Sequence, residues 1–206
     1  MTVLGWLRAA IARLVGNRES FILGESDCVI LDIDVSGVDV RRDRSTGIAV
    51  LPVAGNAFRL ADLAYCRLPP TGADGERGPA EWRECYQRLV DFLGDRPVVT
   101  FNPNFVRYML ERTLAALDLP LPRGEWIDLG LALQGAFGKE MGQVESLHSW
   151  QRRLEVASVH EHAAVADVFA MAQMFEILLV RCEEAGLRTL ADLRRAQKSQ
   201  AWLRGE

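Results

Sequence analysis

Two aspartates stand where an apolar strand would not place them. The run Cys28 to Val35 reads as a buried strand, yet Leu31-Asp32-Ile33-Asp34 interrupts it, and Asp is a poor strand former. Alternation along a strand puts Asp32 and Asp34 on one face and Ile33 and Val35 on the other. Neighbouring carboxylates repel unless a cation or a proton lies between them, and oxygen ligands of this kind suit Mg2+ or Mn2+. The alternative is a strand end at which both groups are solvated.

Asp167 is a third misplaced carboxylate. On a helix turning about 100° per residue, Ala163, Ala164, Ala170, Met171, Met174 and Leu178 fall within about 60° of it. A charge in an apolar stripe is costly unless it is paired, hydrogen-bonded or bound to metal. The alanines would let that helix approach a sheet closely. Taken alone, Asp167 reads as a hydrogen-bonded structural residue; beside Asp32 and Asp34 it reads as part of a shared metal site. His160 and His162 precede it, two of the three histidines in the chain. Either suits proton transfer, or serves as a capping or surface histidine.

These groups need a strand and a helix to carry them. Ile48 to Val53 reads as a second strand and Leu60 to Leu68 as a weaker third, with Val38 to Gly47 a polar turn; this predicts an antiparallel meander. Pro69 to Pro79 is a loop dense in Pro and Gly. Helical spacing follows over Ala80 to Leu93, then a short buried strand over Pro97 to Phe101. A helix is expected over Asn104 to Leu117, closed by Pro120 and Pro122. Shorter helices are predicted over Trp126 to Phe137 and Glu145 to Leu154, and a long one over Glu161 to Ala185. Thr189 can cap a last helix reaching about Leu203. Strands first, then strands alternating with helices, predict an α/β fold with a mixed sheet. The expected division is an N-terminal amphipathic helix and linker over 1–26, a main domain over 27–185 and a C-terminal helix over 186–206.

Composition narrows the possibilities. With 206 residues, 49% hydrophobic and 25% charged, the chain matches ordinary globular proteins. Its formal net charge of −4 leaves nucleic acid to be bound by a local basic patch, for which Arg41, Arg42 and Arg44 are the best cluster; a solvated turn is the other meaning. Cys28, Cys66, Cys85 and Cys182 form no Cys-x-x-Cys pair and no zinc-type spacing. They are expected to be isolated reduced thiols in a cytoplasmic protein. The stretch Val3 to Val15 carries Arg8 and Arg13, which excludes a spanning helix, and no clean cleavage motif follows it. Leu4, Leu7, Ile11 and Leu14 share one helical face, suited to docking on the domain or on a second copy; a membrane-surface helix is the alternative. No integral membrane segment is expected.

Taken in order, the motifs resemble the DnaQ-like, DEDDh branch of the 3′–5′ exonucleases over roughly residues 28 to 180. The first family motif, Asp-x-Glu followed by a small-residue turn ending in Gly, appears as Asp32-Ile33-Asp34-Val35-Ser36-Gly37. The last, His-x-Ala-x-x-Asp, is matched by His162, Ala164 and Asp167, which favours His162 over His160. The middle motif, an apolar strand ending in His-Asn and then Phe-Asp opening a helix, reads Val98-Val99-Thr100-Phe101-Asn102-Pro103-Asn104-Phe105-Val106. Trp126-Ile127-Asp128-Leu129 resembles the family's later strand-and-Asp stretch. Two positions depart from the pattern: Asp34 replaces Glu, one methylene shorter, and Val106 replaces a carboxylate outright.

The resemblance implies a ribonuclease H-like fold, a mixed sheet of antiparallel meander and parallel strands flanked by helices. It implies hydrolysis of 3′-terminal phosphodiesters of single-stranded DNA or short RNA. Family members hold two metals with four carboxylates, one metal activating the attacking water and both stabilising charge on the phosphate. Carried over, Asp32 and Asp167 would be primary ligands of Mg2+ or Mn2+, Asp34 a ligand or water-holder and His162 the base. Ser36 and Gly37 would lie beside the terminal nucleotide and Asn102 in the matching turn, with Phe105 packing or stacking near it. Val106 leaves the second metal in doubt unless Asp128 or another acid reaches in, and restoring the acid as Val106→Asp is expected to raise any nuclease rate by orders of magnitude. The competing reading is a silenced exonuclease fold that binds a nucleic acid, a nucleotide or a protein, with the terminal helices bearing Trp6 and Trp202 as partner surfaces. A phosphatase of the haloacid dehalogenase type also uses Asp-x-Asp, but it wants a downstream Lys and an acidic pair. This chain has only Lys139 and Lys198 and no such pair.

Overall fold

The computed structural model describes residues 22–67, 80–142, 144, 146–156 and 163–196. The helix expected at the N-terminus, the loop expected over Pro69 to Pro79, His160, His162, Trp202 and the expected end of the last helix lie outside these residues.

A mixed sheet forms the centre, as the alternation predicts. Strand β1 (Cys28–Val35) lies between β2 (Ser45–Ala54), antiparallel, and β5 (Val98–Thr100), parallel, and β6 (Trp126–Asp128) extends the parallel side. On its far edge β2 pairs with two short strands, β3 (Ala57–Phe58) and β4 (Ala64–Arg67). The third strand expected over Leu60 to Leu68 is therefore a correction. A 3-10 turn at Leu60–Asp62 takes the first part, and only four residues pair as strand.

Helices α1 (Ala80–Leu93), α2 (Pro103–Ala116), α3 (Leu129–Phe137), α4 (Leu147–Arg153) and α5 (Ala164–Glu184) cover the sheet. The helix expected over Trp126 to Phe137 begins instead as strand β6 and turns directly into α3. Trp126 to Asp128 has no periodicity of its own, and pairing with β5 decides its state.

The period of two along β1 divides the core. Cys28 and Ile30 face a cluster with Val99, Leu133, Trp150, Val168, Met171 and Phe175. Val29, Leu31 and Ile33 face a second cluster with Tyr86, Val98, Val106, Met109 and Leu110. Both layers are apolar, which is why β1 is buried over its first four residues. Leu190 and Leu193 in the helix that starts at 190 are buried in the first cluster.

The thiol expectation also needs correcting. Cys28 and Cys182 are free and buried, but Cys66 and Cys85 form a disulfide that ties β4 to α1. The partners are 19 residues apart and have no sequence signature. Only the packing of α1 beneath β4 brings them together.

Candidate functional site

The end of β1 emerges from the core with Asp32 and Asp34 on the face covered by α5. Register places Asp32 opposite Ala49 and Asp34 opposite Gly47, with a bulge between Asp34 and Val35. Small residues on β2 leave room above both carboxylates. Burial pushes the Asp32 carboxyl up to about 8, with the charge of Asp167 as the next cause. A backbone hydrogen bond from Ile33 opposes the rise, and Asp34 adds to it. The structure thus brings Asp167 of α5 within electrostatic reach of Asp32, as the alanine-lined helix requires. Ala164, Ala170 and Ala172 are fully or almost fully buried, so α5 seats closely on the sheet.

Asp34 is held from two sides. Its Oδ1 accepts the Ala164 backbone N–H at 2.7 Å, and its Oδ2 accepts the Tyr65 hydroxyl at 2.8 Å. The first bond satisfies one of the donors left open at a helix start and sets a negative charge at the favourable end of the helix dipole. Sequence reasoning missed Tyr65. It enters through register, because Tyr65 on β4 pairs with Ala49 on β2 and its ring lies across Gly47. A Cβ at Gly47 would stand 2.2 Å from the Tyr65 hydroxyl oxygen.

The other predicted residues are spread around this centre. Ser36 donates its hydroxyl to Asp43 Oδ1 at 2.9 Å and accepts the Arg44 N–H at 3.1 Å. Asp43 also accepts the Asp39 N–H, and Gly37 lies so close that a Cβ there would be 2.5 Å from the Asp43 carboxylate. Ser36 and Gly37 are therefore built into a turn closed by Asp43. Arg112 of α2 clamps that turn by donating to the carbonyls of Val40 and Asp43. Arg41, Arg42 and Arg44 are exposed on it, Arg42 paired with Asp39 at 3.8 Å.

Asn102 ends β5 in the left-handed conformation, φ 57°, a region that Asn tolerates better than most residues. Its carbonyl accepts the N–H groups of Phe105 and Val106. Phe105 packs against the second core cluster, so packing is the role the structure shows for it. Val106, 2% exposed, is a member of that cluster. Asp128 caps α3, its Oδ1 accepting the Leu131 N–H at 3.1 Å. Burial raises its pKa, and backbone hydrogen bonds from Leu131 and Gly130 oppose the rise. His162, the predicted base, lies outside the described residues.

The donors fit a divalent cation in kind. Asp32, half-buried, feels a like charge from Asp167, and a cation relieves that repulsion. They do not form a finished cage: among the described residues no three His, Cys, Asp or Glu side chains are grouped to hold a metal. Asp32 and Asp167 are the pair the structure opposes, and Asp34 is engaged with Tyr65 and α5.

No family model matches the chain, and no curated protein matches it in sequence. Solved structures do. One of exonuclease I matches with TM-score 0.63 at 13% identity, over 79% of this chain and 42% of that one. Exonuclease X in complex with 5′ overhanging duplex DNA matches with TM-score 0.55 at 15% identity, over 82% of this chain and 99% of that one. The E. coli exonuclease I complex with a dT13 oligonucleotide matches with TM-score 0.57 at 14% identity, over 78% and 42%. The chain thus spans about two-fifths of the exonuclease I chains it matches. The likeness shows a fold similar to the ribonuclease H-like fold of these exonucleases. Among the described residues no helix is long and apolar enough to cross a membrane.

Proposed function

We propose that this chain is a 3′–5′ exonuclease-like domain that hydrolyses 3′-terminal phosphodiesters of single-stranded DNA or short RNA with Mg2+ or Mn2+. The observation that carries this reading is the partly buried Asp32 at the end of β1, on the sheet face covered by α5, with its carboxyl raised by desolvation and by the charge of Asp167. Asp32 and Asp167 would hold the cation, with Asp34 a ligand or water-holder. When bound, the metal supplies Lewis-acid stabilisation of charge on the phosphate. His162 would take the proton from the attacking water. Asn102 turns the chain at the end of β5, and the Ser36–Arg44 turn carries three arginines suited to a phosphate backbone. Exonuclease I and exonuclease X have been solved on single-stranded and overhanging duplex DNA, and exonuclease I with an SSB C-terminal segment. Nucleic-acid 3′ ends, and a protein partner on the terminal helices, are the partners this reading takes. It carries a cytoplasmic location with it. The Cys66–Cys85 bond, rare in a reducing compartment, is the feature against that location.

A second reading, a fold that binds a nucleic-acid end, a nucleotide or a protein without cutting, draws on Val106. An apolar side chain sealed in the core supplies no ligand for a second metal. End-labelled single-stranded DNA and a short RNA, incubated with Mn2+ and then Mg2+, separate the two readings. Stepwise 3′ shortening that vanishes in Asp32→Ala supports the enzyme. Intact substrate with a folded protein and either metal overturns it in favour of the binding module.

A further inference from the structure

We propose that Tyr65 is a positioning residue: it fixes the Asp34 carboxylate against the first turn of α5, and so sets where Asp167 stands relative to Asp32. Three observations meet here. The Tyr65 hydroxyl donates to Asp34 Oδ2 while Ala164 N–H occupies Oδ1. Carboxylate oxygens each accept more than one bond, so both keep capacity for a further partner. The start of α5 has no cap of its own, for Ala163 makes no side-chain bond there. Asp34, 130 residues away in sequence, supplies it, and Asp167 follows within the first turn. Finally, Gly47 and Ala49 form the small-residue lane that lets the Tyr65 ring reach across β2.

The chain of support runs from β4 through Tyr65 to Asp34 and then to α5. Such outer partners of ligating carboxylates orient the ligand, and losing one costs about 10–100-fold in metal affinity or activity. Tyr65 is 44% exposed, and Tyr65→Phe keeps the ring that lies across Gly47.

The test uses the full chain and four variants: Tyr65→Phe, Asp34→Ala, their double, and Gly47→Ala. Gly47→Ala keeps the hydroxyl but drives the ring off its seat. The first readout is hydrogen exchange at the Ala164 amide. It should accelerate about tenfold in Tyr65→Phe and in Gly47→Ala, the factor expected from one bond to a charged group. The second is Mn2+ affinity, which rests on the metal-site reading above. It should fall about tenfold in Tyr65→Phe, and Tyr65→Phe should add nothing in the Asp34→Ala background, where both oxygens are gone. Exchange and Mn2+ binding unchanged in Tyr65→Phe, or a full second loss in the double variant, would overturn the proposal. Absence of Mn2+ binding by the unaltered chain would overturn the metal reading instead, and Ala164 exchange alone would then decide the role of Tyr65.

Discussion

Asp32→Asn should stabilise the metal-free protein at alkaline pH. Asn keeps the volume and removes the charge that burial and Asp167 oppose. The Asp32 carboxyl is raised from 3.8 to about 8. The folded state therefore binds a proton that the unfolded chain releases, and stability is lost as pH rises from about 4 through about 8. At 1.36 kcal/mol per unit, the four-unit shift sets an upper bound near 5 kcal/mol, and relaxation of the site leaves on the order of 3 kcal/mol. For a chain of this length that is roughly 6–12 °C in Tm. Thermal melts in EDTA at pH 4.5 and 8.5 measure it. The two proteins should melt within about 4 °C of each other at pH 4.5, where the loss has only begun, and diverge at the alkaline end, with the variant higher. Mn2+ at 100 times its Kd should then raise the unaltered chain by about 2.7 kcal/mol and leave the variant in place. A variant no more stable at pH 8.5 than at 4.5, relative to the unaltered chain, refutes the desolvated, charge-opposed Asp32. Equal Mn2+ shifts in both refute its role as a ligand.

Val106→Asp, which the sequence pattern favours as a repair, is expected to cost about 3–5 kcal/mol, because the new carboxylate enters an apolar cluster without a partner. A urea titration reads the loss; an unchanged midpoint together with a second bound Mn2+ would show that the side chain reaches the carboxylates after all. Asp128→Asn keeps a competent cap and should leave Mn2+ affinity within about twofold of the unaltered chain, the factor separating it from the 10–100-fold loss of a true ligand partner; isothermal titration checks it. Thiol titration of the unfolded, unreduced protein should find the Cys28 and Cys182 thiols only, with Cys66 and Cys85 appearing after reduction. Breaking that link should cost about 3 kcal/mol for a loop of this size, readable as a lower urea midpoint in reductant.

Much of the architecture was legible because its signals are local. The strand at Cys28 to Val35 stood out through its apolar run, and its aspartates through their conflict with it. The long α5 was legible from its alanine and methionine stripe, and its close approach to the sheet from those alanines. The losses share one cause, dependence on tertiary pairing. Trp126 to Asp128 becomes strand because β5 lies beside it. Tyr65 reaches Asp34 from 31 residues away only through the β2–β4 register. Cys66 meets Cys85 only once α1 lies under β4. The missing carboxylate at Val106 was plain from residue type, but the apolar company that makes its restoration costly belongs to the folded core.

The far edge of β2 has a consequence for how this protein meets other chains. Its outer strands are broken into Ala57–Phe58 and Ala64–Arg67, with a 3-10 turn between them. Four residues of strand offer a ladder only about 13 Å long. An extended peptide, or the same edge of a second copy, finds little template there for adding itself to the sheet. The interruption that places Tyr65 over the carboxylates thus also leaves that border of the described sheet a poor template for edge-to-edge pairing.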